Sequence, residues 1–121
     1  MALVYVADDE SDLADLLAET LTDAGHEVIT SHNGASLLAK VAARAPDVIL
    51  LDINMPGMNG WEVRRELAAR GIGAPVIAVT AQGGASTEHS AISTLQFQGF
   101  VRKPFRLAEI ISAVEGALAS S

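Results

Sequence analysis

Acidic residues close two apolar segments of this sequence, at positions where they could do chemistry. The segment VYVADDESDL, which begins at Val4, places Asp8 and Asp9 where the apolar run stops, and VILLD ends on Asp52. Two carboxylates about 4 Å apart repel by about 4 kcal/mol at an effective dielectric of 20. A hard divalent cation with oxygen ligands, Mg²⁺ or Mn²⁺, would offset that repulsion. Neither histidine nor cysteine stands at these positions, so the pattern disfavours zinc.

A hydroxyl and a lysine follow two later apolar segments. Thr80 comes directly after PVIAV, and Lys103 comes directly after GFVR. An aspartate nucleophile, a divalent cation, an ammonium group and a hydroxyl together suit phosphoryl transfer, because the last three stabilise charge on the transferred oxygens. Asp52 is the better nucleophile because it stands alone, whereas Asp8 and Asp9 are placed to hold the ion. The expected product is an aspartyl phosphate.

Short apolar segments alternate with helical patterns along the chain, and these elements must position the candidate residues. Strands are predicted at Leu3–Ala7, Glu27–Thr30, Asp47–Asp52, Pro75–Val79 and Gly99–Arg102, and helices at Ser11–Ala24, Ala35–Ala45, Trp61–Arg70, Ala85–Leu95 and Leu107–Ala119. Five strand–helix units with short connections predict a parallel sheet covered by helices on both faces. Ligands bind such sheets at the carboxyl ends of the strands, so the candidate residues are expected at one edge.

The spacing of leucines predicts the buried face of the first helix. Its apolar positions at helical spacing are Leu13, Leu16, Leu17, Leu21 and Ala24. Ser11 or Asp12 is expected to cap the start of this helix, and Gly25 suits its end.

Composition limits the class of protein. The 121 residues suit one domain, and with 50% hydrophobic but only 4% aromatic residues the core must be aliphatic. No apolar stretch is long enough to span a membrane, and the N-terminus lacks the basic region of a signal peptide. The absence of cysteine excludes disulfides and thiol catalysis and agrees with a cytoplasmic location. The net charge of −7 argues against nucleic-acid binding by this domain itself.

Four motifs taken together resemble the receiver domain of two-component response regulators. They are VYVADDESDL, VILLDINMPGMNGWEV, PVIAVTA and FVRKPF, and in this order they span essentially the whole chain, residues 1–121, as a single domain. The resemblance implies a doubly wound five-stranded parallel sheet of order 2-1-3-4-5 flanked by five helices, the flavodoxin-like or CheY-like α/β fold.

The same resemblance implies a function in phosphorelay signalling. The domain would accept a phosphoryl group from a histidine kinase or phosphotransfer protein onto Asp52 in a Mg²⁺-dependent reaction. It would then change conformation and relay the signal to a downstream protein or a fused output domain. Such a domain catalyses only its own phosphorylation and dephosphorylation, so it is not expected to be a conventional enzyme.

Roles at the metal site follow from the resemblance. Asp9, assisted by Asp8, would bind Mg²⁺ (or Mn²⁺) together with Asp52 and the backbone carbonyl of Asn54. Asn54 and Gln82 would also tune the rate at which the aspartyl phosphate hydrolyses.

Roles in switching follow in the same way. Thr80 would be the switch hydroxyl, Lys103 the phosphate-binding lysine and Phe100 the switch aromatic. The peptide bond between Lys103 and Pro104 would be cis, as is typical of such domains.

Three other functions deserve comparison with this one. A small Mg²⁺-dependent phosphatase or phosphotransferase of haloacid-dehalogenase type would also use an aspartate, a hydroxyl and a lysine, but it needs an acid two residues after the nucleophile, where this chain has Asn54. A flavodoxin-like cofactor binder needs phosphate donors in its first loop, whereas DDESD repels anions. A docking module that works without phosphorylation is the third alternative.

Overall fold

Five parallel strands form one sheet in the computed structural model, which describes residues 2–53, 55, 60–80 and 97–120. The strands are β1 (Leu3–Ala7), β2 (Glu27–Ser31), β3 (Val48–Asp52), β4 (Val76–Thr80) and β5 (Gly99–Arg102). Their order across the sheet is β2-β1-β3-β4-β5, and each neighbouring pair is parallel. The predicted sheet type and strand order are therefore confirmed.

Four helices lie within the described part of the chain. They are α1 (Ser11–Asp23), α2 (Gly34–Ala43), α3 (Gly60–Ala69) and α4 (Leu107–Ser120). The fifth predicted helix, Ala85–Leu95, lies outside the described residues, as do Asn54 and Gln82.

Both faces of the sheet are buried, which explains the almost unbroken apolar sequence of the central strands. Alternate residues of β1 point to opposite faces. Val4 and Val6 join a core with residues of α1 and α4, such as Leu17 and Ile110. On the other face, Leu3, Tyr5 and Ala7 pack with residues of α2 and α3, namely Leu37, Leu38, Val41, Val63 and Leu67. The strands that position the candidate residues are thus packed against helices on both faces.

The buried face of α1 differs from the prediction. Ala14, Leu17 and Leu21 are buried, but the Leu16 side chain is 44% exposed, and Ala24 lies beyond the end of the helix and is exposed. The residue before the helix, Glu10, takes the N-cap position, and its side chain makes no capping hydrogen bond. Ala14, Leu17 and Leu21 follow one another at intervals of three and four residues, so they form the stripe of α1 that packs against the sheet. Leu16 falls outside that stripe and is therefore exposed.

Ile53, the residue directly after β3, lies close to the start of α3. The Gly60 N–H donates a hydrogen bond to the Ile53 carbonyl at 3.1 Å. A Cβ atom at position 60 would collide with the Ile53 backbone, so only glycine allows this approach. The contact fixes the chain immediately after the last residue of β3.

Candidate functional site

Five chemically active residues lie at the carboxyl edge of the sheet. Asp8 and Asp9 follow β1, Asp52 and Thr80 are the last residues of β3 and β4, and Lys103 follows β5. Because all the strands are parallel, their carboxyl ends share one edge. The sequence predicted this placement from the ends of the apolar segments.

Three carboxylates converge at this edge. Asp8, Asp9 and Asp52 each offer one oxygen, and these oxygens all lie within 4.8 Å of one another. Asp8 and Asp52 are only 1% and 3% exposed, whereas Asp9 is exposed. An all-oxygen set of this size and charge fits a hard divalent cation such as Mg²⁺ or Mn²⁺, since histidine and cysteine take no part in it.

The ammonium group of Lys103 contacts three carboxylates. Its Nζ lies 3.2 Å from Asp52 Oδ2, 3.4 Å from Asp8 Oδ2 and 3.6 Å from Glu10 Oε1. Its side chain is 21% exposed, so the lysine reaches inward from the rim of the site. Among the described residues at this edge, one cation thus faces several carboxylates, which leaves a surplus of negative charge there.

Hydrogen bonds hold the lysine and Asp8 in position. The Lys103 backbone N–H donates to the Thr80 carbonyl at 2.7 Å, which extends the β4–β5 pairing beyond the last residue of β5. The Glu10 N–H donates to Asp8 Oδ1 at 2.9 Å. The Asp8 N–H donates to the Ser31 carbonyl at 3.0 Å, which ties the residue to the end of β2.

Burial and charge shift the pKa values of two groups at this edge. The pKa of Asp8 is raised, chiefly because burial disfavours its charged form; the nearby Asp52 carboxylate raises it further, against the lowering effects of the Glu10 N–H and Lys103. Burial works to lower the pKa of Lys103, but the charges of Asp52, Asp8 and Glu10 outweigh it and leave that pKa raised. Lys103 therefore stays protonated, whereas burial and the neighbouring Asp52 carboxylate disfavour the charged form of Asp8.

The predicted switch residues occupy different environments. Thr80 is 2% exposed at the end of β4, while Phe100 on β5 is 41% exposed. Phe100 borders a surface groove with Arg106, Glu109 and Ala113, residues of α4 or the loop before it. The aromatic side chain thus lies on the outer surface of β5 in this structure.

The peptide bond between Lys103 and Pro104 is cis, as the resemblance implied.

Glu10 is a described residue at this edge that the sequence analysis did not name as a candidate. The sequence shows only that Glu10 belongs to the acidic run DDESD, because periodicity does not show which of these side chains reaches Lys103.

The fold and the edge define a doubly wound α/β domain with a candidate cation site beside a buried aspartate and a lysine. Residues 4–115 match the family described as the response regulator receiver domain. The chain belongs to this family of two-component signalling domains, which confirms the resemblance seen in the four motifs. This membership does not favour the phosphatase alternative.

Relatives and solved structures agree with the assignment. The chain is 36% identical to the DNA-binding transcriptional regulator NtrC of Escherichia coli, and the match covers 96% of this chain and 24% of NtrC. It is 36% identical to the transcriptional regulatory protein KdpE of Mycobacterium tuberculosis over 98% of its length, which covers 51% of KdpE. The chain therefore spans about a quarter to a half of these curated relatives.

The receiver domain of NtrX from Brucella abortus superimposes with a TM-score of 0.90 at 35% identity, and the match covers 98% of this chain and 99% of that one. The chemotaxis protein CheY4 of Vibrio cholerae gives a TM-score of 0.91 at 28% identity, and the match covers 98% of this chain and 99% of CheY4.

Within the described residues, each helix is too short or too polar to cross a bilayer.

Proposed function

We propose that this domain accepts a phosphoryl group from a histidine kinase or phosphotransfer protein onto Asp52 in a Mg²⁺-dependent reaction, and thereby relays a signal. The observation that carries the proposal is the contact between Lys103 Nζ and Asp52 Oδ2 at 3.2 Å, beside carboxylates able to hold a cation. The downstream target would be another protein or an output domain joined to this one.

The chemistry assigned to Asp52 is nucleophilic. One of its carboxylate oxygens forms the new P–O bond, while the P–N bond of the phosphohistidine breaks and the imidazole leaves with the electron pair. The Lys103 ammonium donates a hydrogen bond to an oxygen of the transferred group and so stabilises its charge. We propose that the Thr80 hydroxyl, buried at the next strand end, donates another.

The cation would be held by Asp8, Asp9 and Asp52, with the backbone carbonyl of Asn54 as a further ligand by family resemblance. When bound, it neutralises charge on the phosphoryl oxygens, which lets an anionic carboxylate approach an anionic donor. Asn54 and Gln82 are proposed to tune the hydrolysis of the product. We propose that the domain catalyses only these reactions of its own phosphoryl group.

The direct test is phosphorylation of the intact chain by a small donor. With acetyl phosphate and Mg²⁺, intact-mass spectrometry should detect one added phosphoryl group per chain, because Asp52 is the proposed acceptor and Asp8 and Asp9 are proposed to hold the cation. With excess EDTA the added mass should be absent, since the surplus negative charge of the edge then repels the donor. Addition that is equally fast in EDTA would contradict the metal-dependent reaction.

Phosphorylation is proposed to alter the surface around Phe100. The transferred group would draw the Thr80 hydroxyl toward Asp52, and the space vacated would accept the Phe100 ring, which is now 41% exposed. We expect a crystal structure with Mg²⁺ and beryllofluoride, a mimic of the phosphoryl group, to show Phe100 buried. Unchanged rotamers of both residues in that structure would refute the coupling.

A further inference from the structure

Glu10 holds an unusual position at the mouth of the site. It is the N-cap residue of α1, yet its side chain makes no hydrogen bond to the helix. Instead, its Oε1 atom lies 3.6 Å from Lys103 Nζ, and its side chain is 66% exposed. The carboxylate therefore faces the functional lysine on one side and solvent on the other.

The backbone keeps Glu10 in this position. Its N–H donates to Asp8 Oδ1 at 2.9 Å, so the residue is tied to the carboxylate cluster. Glu10 also lines an open groove with Leu13, Leu16 and Phe105, and that groove reaches Lys103. A donor that approaches Lys103 along this groove passes the Glu10 carboxylate.

The charge of Glu10 acts on whatever enters the site. Both the Glu10 and the Asp52 carboxylates contact the same lysine, so they lie within about 7 Å of each other, inside the screening length of about 8 Å at physiological ionic strength. A charge this close to the acceptor repels an incoming anion in proportion to the charge of that anion.

We propose, on the basis of the phosphorylation function above, that Glu10 is a specificity-determining residue that selects against free dianionic phosphodonors. Donors with less negative charge around the phosphoryl group are favoured, and a phosphohistidine with a protonated imidazole ring has that chemistry. Glu10 contacts the lysine and lines the groove beside it, while the bond-forming atom stays on Asp52.

The test compares two small donors that differ in charge. At neutral pH acetyl phosphate is a dianion, whereas phosphoramidate carries a single net negative charge. In the first reaction the Asp52 oxygen forms a P–O bond as acetate leaves with the electron pair; in the second the P–N bond breaks and ammonia leaves. Rates are measured by intact mass on the full chain at saturating Mg²⁺ and low salt.

Glu10→Gln should raise the rate constant with acetyl phosphate roughly threefold and the constant with phosphoramidate by less, so that their ratio rises roughly twofold. If the substitution moves Lys103 or alters metal binding and so changes both rate constants by the same factor, their ratio stays the same. Glu10→Asp, which keeps the charge, should leave the ratio near the wild-type value. High salt should reduce the effect of Glu10→Gln.

Glu19→Gln is the matched control, because Glu19 is an exposed glutamate farther along α1 and the variant has the same net charge. Its ratio should equal that of the wild type. The inference alone is overturned if Glu10→Gln is phosphorylated with an unchanged ratio, or if Glu19→Gln shifts the ratio equally. Failure of both donors to modify any of the proteins overturns the proposed function and this inference together.

Discussion

Asp52→Asn is expected to abolish phosphorylation while leaving the protein folded. An amide lacks the anionic oxygen that attacks phosphorus, and within the described part of the chain Asp52 is the carboxylate that ends the central strand β3. The variant keeps the shape of the side chain in its buried site, and Lys103 keeps its contacts with Asp8 and Glu10. We therefore expect no added mass after incubation with acetyl phosphate and Mg²⁺, and a circular dichroism spectrum like that of the wild type.

Asp15→Asn is the matched control for this experiment. Asp15 is an exposed residue of α1, and its substitution makes the same change of charge and volume. It should be phosphorylated at the wild-type rate. If Asp52→Asn still gained one phosphoryl group, the acceptor would have to be another residue, and peptide mapping of the modified protein would identify it.

The strand positions could be predicted from the sequence because each apolar segment stops at polar residues. β1 and β5 have the predicted bounds, Leu3–Ala7 and Gly99–Arg102. The start of α2 was predicted one residue late, at Ala35, because the prediction did not use Asn33, whose side chain accepts a hydrogen bond from the Ser36 N–H at 2.8 Å. The pattern of apolar residues shows where an element lies, whereas capping residues determine where a helix begins and ends.

The carboxyl edge could be predicted for a topological reason. In a parallel sheet the residues after each strand must share an edge, so Asp8, Asp52 and Lys103 were expected to meet without any knowledge of side-chain directions. Glu10 and Leu16 could not be placed in this way. Their environments depend on how α1 rotates against the sheet and on a lysine far along the chain, which periodicity alone does not determine.

The charge surplus at this edge links function to stability. Two buried carboxylates contact one lysine, and the exposed Asp9 adds a carboxylate oxygen within 4.8 Å of theirs; this arrangement suits a cation but costs free energy without it. The pKa of Asp8 is raised, chiefly by burial, because the charged form of this carboxylate is unfavourable in the folded protein. A substitution that removes the charge should therefore improve stability and impair metal binding.

Asp8→Asn is expected to raise the free energy of unfolding of the metal-free protein by about 1 kcal/mol at pH 7. The amide removes a buried charge and its repulsion with Asp52, while its Oδ1 atom still accepts the Glu10 N–H. Urea unfolding in EDTA measures the difference. In Mg²⁺ the order should reverse, because losing one anionic ligand weakens the affinity for the ion by about tenfold or more, and only the wild type gains full stabilisation from binding.

The pH dependence of unfolding separates this electrostatic cause from a change in packing. The raised pKa means that the folded protein holds the Asp8 proton more tightly than the unfolded chain does. Between the ordinary pKa of aspartate, about 3.9, and the raised value, unfolding releases a proton, so this group lowers stability as the pH rises through that window.

The advantage of Asp8→Asn in EDTA should thus be present at pH 7 and shrink as the pH falls through the window. Asp15→Asn, at an exposed position of α1, is the matched control for the change of charge. An advantage of Asp8→Asn that stayed constant with pH, or a variant less stable than the wild type at pH 7, would contradict the account of a charge held at a cost for the sake of the cation.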